Sequence, residues 1–178
     1  MKINIGCGKR NFGKDWVHID GVEFEHVDSK DIFIKNFKEE SVELIYASHF
    51  IEYFDRIEII SLLNRWKEVL KPNGILRLAV PNFEVYAKLY IDKKISLDNC
   101  LGPLYGKMKM GNKAIYHKTT YDFSSLKDLL EKVGMRKIKK YNWENTDHSV
   151  FDDHSQAYFP HMEKEHGILM SLNMECIK

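Results

Sequence analysis

The sequence predicts an α/β protein built on a mostly parallel sheet with an antiparallel closing strand, and three observations predict it. Short apolar runs stop abruptly at turn residues, as buried parallel strands do. One long amphipathic segment lies between two such runs. The carboxyl-terminal stretch instead alternates residue by residue, the pattern of a strand with two different faces. The 178 residues, 44% hydrophobic and 30% charged, suit a single domain spanning 1–178 with one core.

Lys2 to Ile5 is the first apolar run and stops at Gly6-Cys7-Gly8; Trp16 to Ile19 is the second and stops at Asp20. A weaker third segment ends near Asp28 or Asp31, and a fourth, Val42 to Ala47, leads into Ser48-His49. Asp55 to Lys71 carries Ile57, Ile60, Leu63, Trp66, Val69 and Leu70 at the three-four spacing of a helix face. Lys71-Pro72-Asn73-Gly74 stops that helix, and Ile75 to Val80 follows as the most hydrophobic strand. Phe83 to Tyr90 reads as a further helix. Leu101 to Lys118, with three glycines and a proline, has no period and reads as a loop of the length that functional loops have.

Ser124 or Ser125 is expected to cap a helix that runs through Val133 and closes at Gly134, with Met135 to Trp143 as the next strand. In the last strand Ile168, Met170, Leu172, Met174 and Cys176 share one face, and the strand can pair with its predecessor as a hairpin. Between them, Glu144 to Gly167 is rich in aspartate and histidine, too polar for core, and is expected to pass above the sheet.

Charge and cysteine content narrow the function classes. Lysine and arginine total 27 against 26 acidic residues, so the net charge recruits neither nucleic acid nor an anionic membrane surface. A small or neutral partner is expected. The opening MKINIGCGKR lacks the apolar core of a signal peptide and no run reaches bilayer length, which points to a cytoplasmic protein. Cys7, Cys100 and Cys176 are widely spaced and odd in number, as reduced thiols are, and no CxxC pair is present.

Gly6 and Gly8 allow a tight turn whose backbone passes close to a ligand. Asp20, ending the next strand, is placed to accept hydrogen bonds from the ribose hydroxyls of a nucleoside, and Asp31 or Asp28 to meet an adenine amino group. In these features, and in INIGCGKR, WVHID, SVELIYASHFIEYF, LNRWKEVLKPNGILRLAVPNFE, HKTTYDFSSLKDLLEKVGM and SLNMECIK, nearly the whole chain resembles the class I S-adenosylmethionine-dependent methyltransferases. The small bacterial members often found with polysaccharide biosynthesis genes are the most similar.

The resemblance implies a Rossmann-like three-layer sandwich with a seven-stranded sheet, six strands parallel and the last antiparallel. It implies S-adenosylmethionine as cofactor, with Gly6, Cys7 and Gly8 along its methionine and ribose, Asp20 on the ribose, Asp31 facing adenine and Ser48 near the sulfonium. Departures stand beside it. Asn4 replaces the family's acidic residue, Arg10 stands where a third glycine is common, and Lys9 to Trp16 is too short for a crossover helix, so the first helix is expected to shrink to a turn.

Two histidines are candidates for chemistry. His49 follows the fourth strand and has the near-neutral pKa of about 6.5 that suits a base removing an acceptor hydroxyl proton; its plainer role is a hydrogen bond to the next helix start. His117, after the glycine-bearing loop, is a second base or a turn cap. Glu52 and Tyr53 can line the same mouth, although an exposed helix-start glutamate is the ordinary account. His148, His154, His161 and His166 lie among aspartates, but HMEKEH is not the HExxH pattern of a metal site, and no metal is expected.

The leading reading is therefore a methyltransferase acting on a small-molecule acceptor, a sugar or sugar-nucleotide hydroxyl by family association. The alternative, motivated by Asn4, Arg10 and the short first connection, is a non-catalytic binding module that keeps the fold with weakened or lost cofactor binding. A nicotinamide-dependent oxidoreductase shares the glycine turn and acidic residue but lacks support from the closing strand. Neither the acceptor nor the oligomeric state is written in the pattern.

Overall fold

The computed structural model describes residues 1–178. Fourteen elements follow one another as β1 (Lys2–Ile5), β2 (Trp16–Ile19), β3 (Val42–Ser48), α1 (Glu58–Val69), β4 (Leu70–Pro81), α2 (Phe83–Ile91), α3 (Leu97–Tyr105), β5 (Met108–Met110), β6 (Lys113–Ile115), α4 (Phe123–Lys132), β7 (Arg136–Lys140), β8 (Tyr158–Phe159), β9 (Ile168–Leu169) and β10 (Ser171–Ile177). The central sheet has the order β2-β1-β3-β4-β10-β7. β1 to β4 are parallel, and β10 lies antiparallel between β4 and β7.

That sheet holds six strands where seven were expected. The missing position is the third segment, present only as a single parallel bridge from Ile19 to Ser29. Residues 20–41 hold seven acidic residues and three lysines and no apolar run longer than Ile32-Phe33-Ile34, too little to be buried on both faces as a parallel strand must be. Residues 6–15 contain turns and no helix.

Alternation along the strands gives the sheet two unlike faces. Ile3, Ile5, Ile45, Ala47, Leu76, Leu78, Leu172 and Met174 point to the face covered by α1 and α4, which bury Ile59, Leu62, Leu63, Trp66, Leu126 and Leu130 against it. Trp66 Nε1 donates to Ile32 O at 2.8 Å, satisfying the one polar atom of that buried ring. The opposite face carries Asn4, His18, Tyr46, Arg77, Asn173 and Glu175 beside the apolar Trp16 and Leu44, and no α-helix packs on it. Instead, residues 9–15 and the 144–167 excursion cover it.

Glu144 to Gly167 passes above the sheet as expected, but it is not too polar to be buried. His148, Asp153, Ser155 and Gln156 are buried, the first three meeting the polar sheet face and Gln156 bonding Ser149 O and Phe151 O within the excursion. Tyr46 Oη donates to Asp153 at 2.6 Å, Asn173 Nδ2 donates to Ser155 O at 2.8 Å, and the His148 ring stacks on Phe12. Arg77 pairs with Glu175 at 2.9 Å on the same face.

Other differences have local causes. The stop at Lys71-Pro72-Asn73-Gly74 is present as an irregularity inside β4, where the register against β3 shifts and Asn73 takes φ +62°. Leu101 to Lys118 is not a loop: α3, started by a Ser96–Asn99 capping box and ended at Gly106, runs into the β5–β6 hairpin. Asp122, not Ser124 or Ser125, caps α4, with Ser125 as its reciprocal partner. β10 pairs with β4 as well as with β7, while Ile168 and Leu169 leave it to form a small hairpin with β8.

Two stability outcomes follow. Leu63→Ala, which empties a fully buried site between α1 and the sheet, is expected to cost about 3 kcal/mol in urea unfolding. Tyr46→Phe should cost about 1–3 kcal/mol by stranding the buried Asp153 carboxylate; a neutral result would mean that the excursion is only loosely held.

Candidate functional site

The chain leaves β1 toward β2 on one side and later places β3 on the other, so a topological switch point lies between β1 and β3. Ligands of open α/β sheets bind outside the carboxyl ends of the strands at such a point. Gly6 and Gly8 follow β1 there with φ +72° and +55°, and Ser48 and His49 follow β3.

Asp20 converges on the glycine turn. Its Oδ2 accepts from Gly8 N at 2.8 Å and its Oδ1 from Val22 N at 2.8 Å, so one carboxylate ties the bend after β1 to the bend after β2. Above Gly8 the space is open except for the end of Arg10, 3.7 Å from where a Cβ would stand. Above Gly6 it is filled: a Cβ there would lie 2.6 Å from Phe50 Cδ2. Arg10 in turn donates to Asp152 O at 2.9 Å, fastening the turn to the excursion. On the far rim, Met110 of the hairpin reaches Gly21, its sulfur 3.1 Å from a Cβ built there.

Asp31 is placed otherwise. Its oxygens accept from Phe33 N at 3.1 Å and Lys35 N at 2.8 Å, so it caps a turn, and Asp28 accepts from His18 N at 2.7 Å. Cys7 is buried, and burial together with the neighbouring Asp20 charge pushes its thiol up to about 12, which makes it a packing residue and not a nucleophile. Ser48 Oγ is buried without a hydrogen-bond partner.

His49 takes φ +50°, an uncommon conformation for a non-glycine residue, held by its N–H donating to Ala79 O at 2.8 Å. The turn aims its ring toward Glu52, with Nδ1 3.8 Å from Glu52 Oε1. From the other side His117 Nε2 stands 3.8 Å from the same oxygen. His154, from the excursion, packs on His49 with ring centroids 4.9 Å apart. The structure thus brings together His49, His117 and Glu52, all named from the sequence, and adds His154.

Glu52 is not the exposed helix-start residue expected. It is 0% exposed and neither carboxyl oxygen has a hydrogen-bond partner. Burial raises its carboxyl to about 8, while burial and its histidine and arginine neighbours push His49 well below the usual imidazole value. Burial also lowers His117 and His154. The carboxyl and imidazoles lie within ion-pair range, yet desolvation of all of them outweighs that attraction, and the cluster is neutral at pH 7. His117 Nδ1 faces Pro103 O at 2.9 Å and must donate to it, leaving an unprotonated Nε2 turned toward Glu52, 3.8 Å from Oε1 and beyond hydrogen-bond reach.

The sequence placed Glu52 near this mouth but not its burial, because a single glutamate after a strand carries no burial signal. The apolar Phe50 and Ile51 around it were the available hint. Among the excursion histidines, His148 is buried, His154 joins the site, and His161 and His166 are exposed.

No protein-family model matches this chain, and no curated protein matches it. Solved structures match nearly all of it at low identity. A SAM-dependent methyltransferase from Archaeoglobus fulgidus is 17% identical with a TM-score of 0.60, over 99% of this chain and 85% of that one. A SAM-dependent methyltransferase from Thermotoga maritima, described as a possible histamine N-methyltransferase, is 14% identical with a TM-score of 0.61, over 99% and 81%. An S-adenosylmethionine-dependent methyltransferase from Mesorhizobium loti is 12% identical with a TM-score of 0.56, over 99% and 90%. At these identities what is shared is the fold.

Glu52→Gln provides the pH check. A carboxyl raised from 4.5 to about 8 on folding holds its proton more tightly in the native state, so stability falls as pH rises from about 4.5 to 8 and is level above. The glutamine variant should lose that slope and exceed wild type in thermal melting at pH 8 by more than at pH 5. Gly6→Ala, placed at positive φ against Phe50, should destabilise by about 1–3 kcal/mol.

Proposed function

We propose that this chain is an S-adenosylmethionine-dependent methyltransferase acting on a small-molecule acceptor. One observation carries the reading: at the switch point the glycine bend, open above Gly8, and the Asp20 carboxylate meet each other, bonded at 2.8 Å, where open sheets bind nucleosides. Fold likeness over 99% of the chain to several methyltransferases supports it.

The residues fit such a cofactor in chemistry. Each Asp20 oxygen uses one acceptor position on a backbone N–H and keeps others for ribose hydroxyls. Gly8 leaves the backbone bare, Cys7 adds no bulk, and the orphaned Ser48 Oγ is a polar atom seeking a partner at the strand end. The cofactor, when bound, supplies an activated methyl group and its own leaving group. The protein aligns the acceptor and handles its proton.

In this reading His49 removes the proton of an acceptor hydroxyl, a sugar or sugar-nucleotide hydroxyl being the leading class. Burial keeps the imidazole neutral and able to accept. Glu52 lies between the His49 and His117 rings at 3.8 Å from each, and Ser171 Oγ stands 3.5 Å from His49 Nε2.

A second reading has its own support. Both Asp20 oxygens are already engaged, no helix N-terminus stands behind the glycine turn, and Phe50 covers Gly6. These favour a binding module with weak or lost cofactor affinity. Titration calorimetry decides between them: the enzyme should bind S-adenosylmethionine and S-adenosylhomocysteine at micromolar concentration, with Asp20→Ala weakening both about tenfold or more. Absence of heat at high micromolar cofactor would establish the module.

A further inference from the structure

The insertion between β4 and α4 has a surface that its own fold leaves without a partner. In α3, Cys100 and Leu104 turn inward onto Leu89, Ile95 and Met170. Leu97, Leu101 and Tyr105, four residues apart along the same helix, form an outward stripe that is 56%, 43% and 60% exposed. Tyr90 and Ile91 at the end of α2 are 49% and 75% exposed and, with Lys93, Lys94 and Asn99, wall a groove of about 530 Å³ beside the start of α3. Of the 14 exposed large hydrophobic residues of the chain, nine fall between Phe83 and Tyr116. Such concentration marks an interaction surface, whereas scattered apolar residues do not.

Its charge is as uneven as its polarity. Residues 83–118 hold seven lysines against three acidic residues, while the remainder of the chain holds 20 lysines and arginines against 23 acidic residues. The near-zero net charge therefore conceals a basic face on an acidic body. All seven lysines are exposed, and only Lys118 has an acidic partner, Glu58 at 2.7 Å. Lys88, Lys93 and Lys94 precede the apolar stripe and Lys107, Lys109 and Lys113 follow it.

We infer that the α2–α3 face, flanked by the β5–β6 hairpin, docks on an anionic lipid bilayer, the apolar stripe entering the headgroup boundary and the lysines meeting the phosphates. The side chains choose this occupant over others. A second copy docked symmetrically would set lysines against lysines. A nucleic-acid surface is read with arginine and stacked aromatics, yet this stretch has no arginine and its stripe is mostly aliphatic. Aliphatic and tyrosine residues edged by lysine are the composition of an interfacial helix face. No helix here is long and apolar enough to cross a membrane, so the contact is a surface one. The inference stands independently of the catalytic reading.

Vesicle co-sedimentation of the full chain tests it, with phosphatidylcholine vesicles and with vesicles in which about a third of the lipid is phosphatidylglycerol. Binding is expected to the anionic vesicles only and to fall with added salt. Leu97→Ser with Leu101→Ser, and separately Lys93→Glu with Lys94→Glu, should each weaken it about tenfold or more. Because all four side chains are exposed, unchanged thermal melting will show that the variants remain folded. Equal binding to both vesicle types, no binding to either, or undiminished binding by the variants would overturn the inference. A dimer in sedimentation velocity that Leu101→Ser dissociates would give the face to a second copy and overturn it as well.

Discussion

The constraint on which this structure depends is a sheet with only one helical layer. Nine residues between Gly6 and Trp16 cannot make a crossover helix, so the face beneath β1 and β2 has no helix to bury it. Only Trp16, Leu44 and Tyr46 gather there in a small apolar cluster with Phe12 and Phe151, and the sequence places Asn4, His18, Arg77, Asn173 and Glu175 on the rest of that face. Polar side chains beneath a cover need partners, because each unpaired one costs more than its bond is worth. The excursion supplies them through Asp153, Ser155 and His148, and its aspartate and histidine content follows from that task.

The same cover shapes the site. Arg10 ties the glycine turn to Asp152, and His154 two residues later packs on His49, so the segment that replaces a helix layer also forms one wall of the chamber. His49 sits at positive φ because the chain must turn sharply after β3 while its N–H stays bonded to β4. Strain of this kind persists where surrounding structure enforces it and is concentrated at functional positions. Around Glu52 burial prevails over attraction, giving a neutral carboxyl between neutral imidazoles instead of ion pairs. A neutral imidazole is the form that accepts a proton.

The insertion between β4 and α4 is organised on another principle. Its inner residues make a small satellite core with Met170, separate from the main one. Its outer residues combine exposed aliphatics with lysine. Met110 at the hairpin touches Gly21, so one edge of this segment borders the candidate cofactor rim and the other faces solvent. Total charge describes the long-range field of a protein; contact with a surface depends on where the charges stand.

Periodicity and punctuation in the sequence determined the strand–helix alternation, the bend at Gly6 and Gly8, the convergence of Asp20 upon it and the placement of His49 at a strand end. These are local properties: a run of apolar residues, a glycine and a carboxylate act within a few positions of themselves. The Leu101 to Lys118 segment was misread because α3 is barely two turns long and apolar on two sides, which erases its period. The third strand was overread because one parallel bridge leaves the same trace as a short strand. Burial of Glu52, its meeting with His117 some 65 residues later and the excursion's role as a missing layer were decided by tertiary structure alone. Burial and distant pairing depend on what packs over a residue, and no local pattern records that.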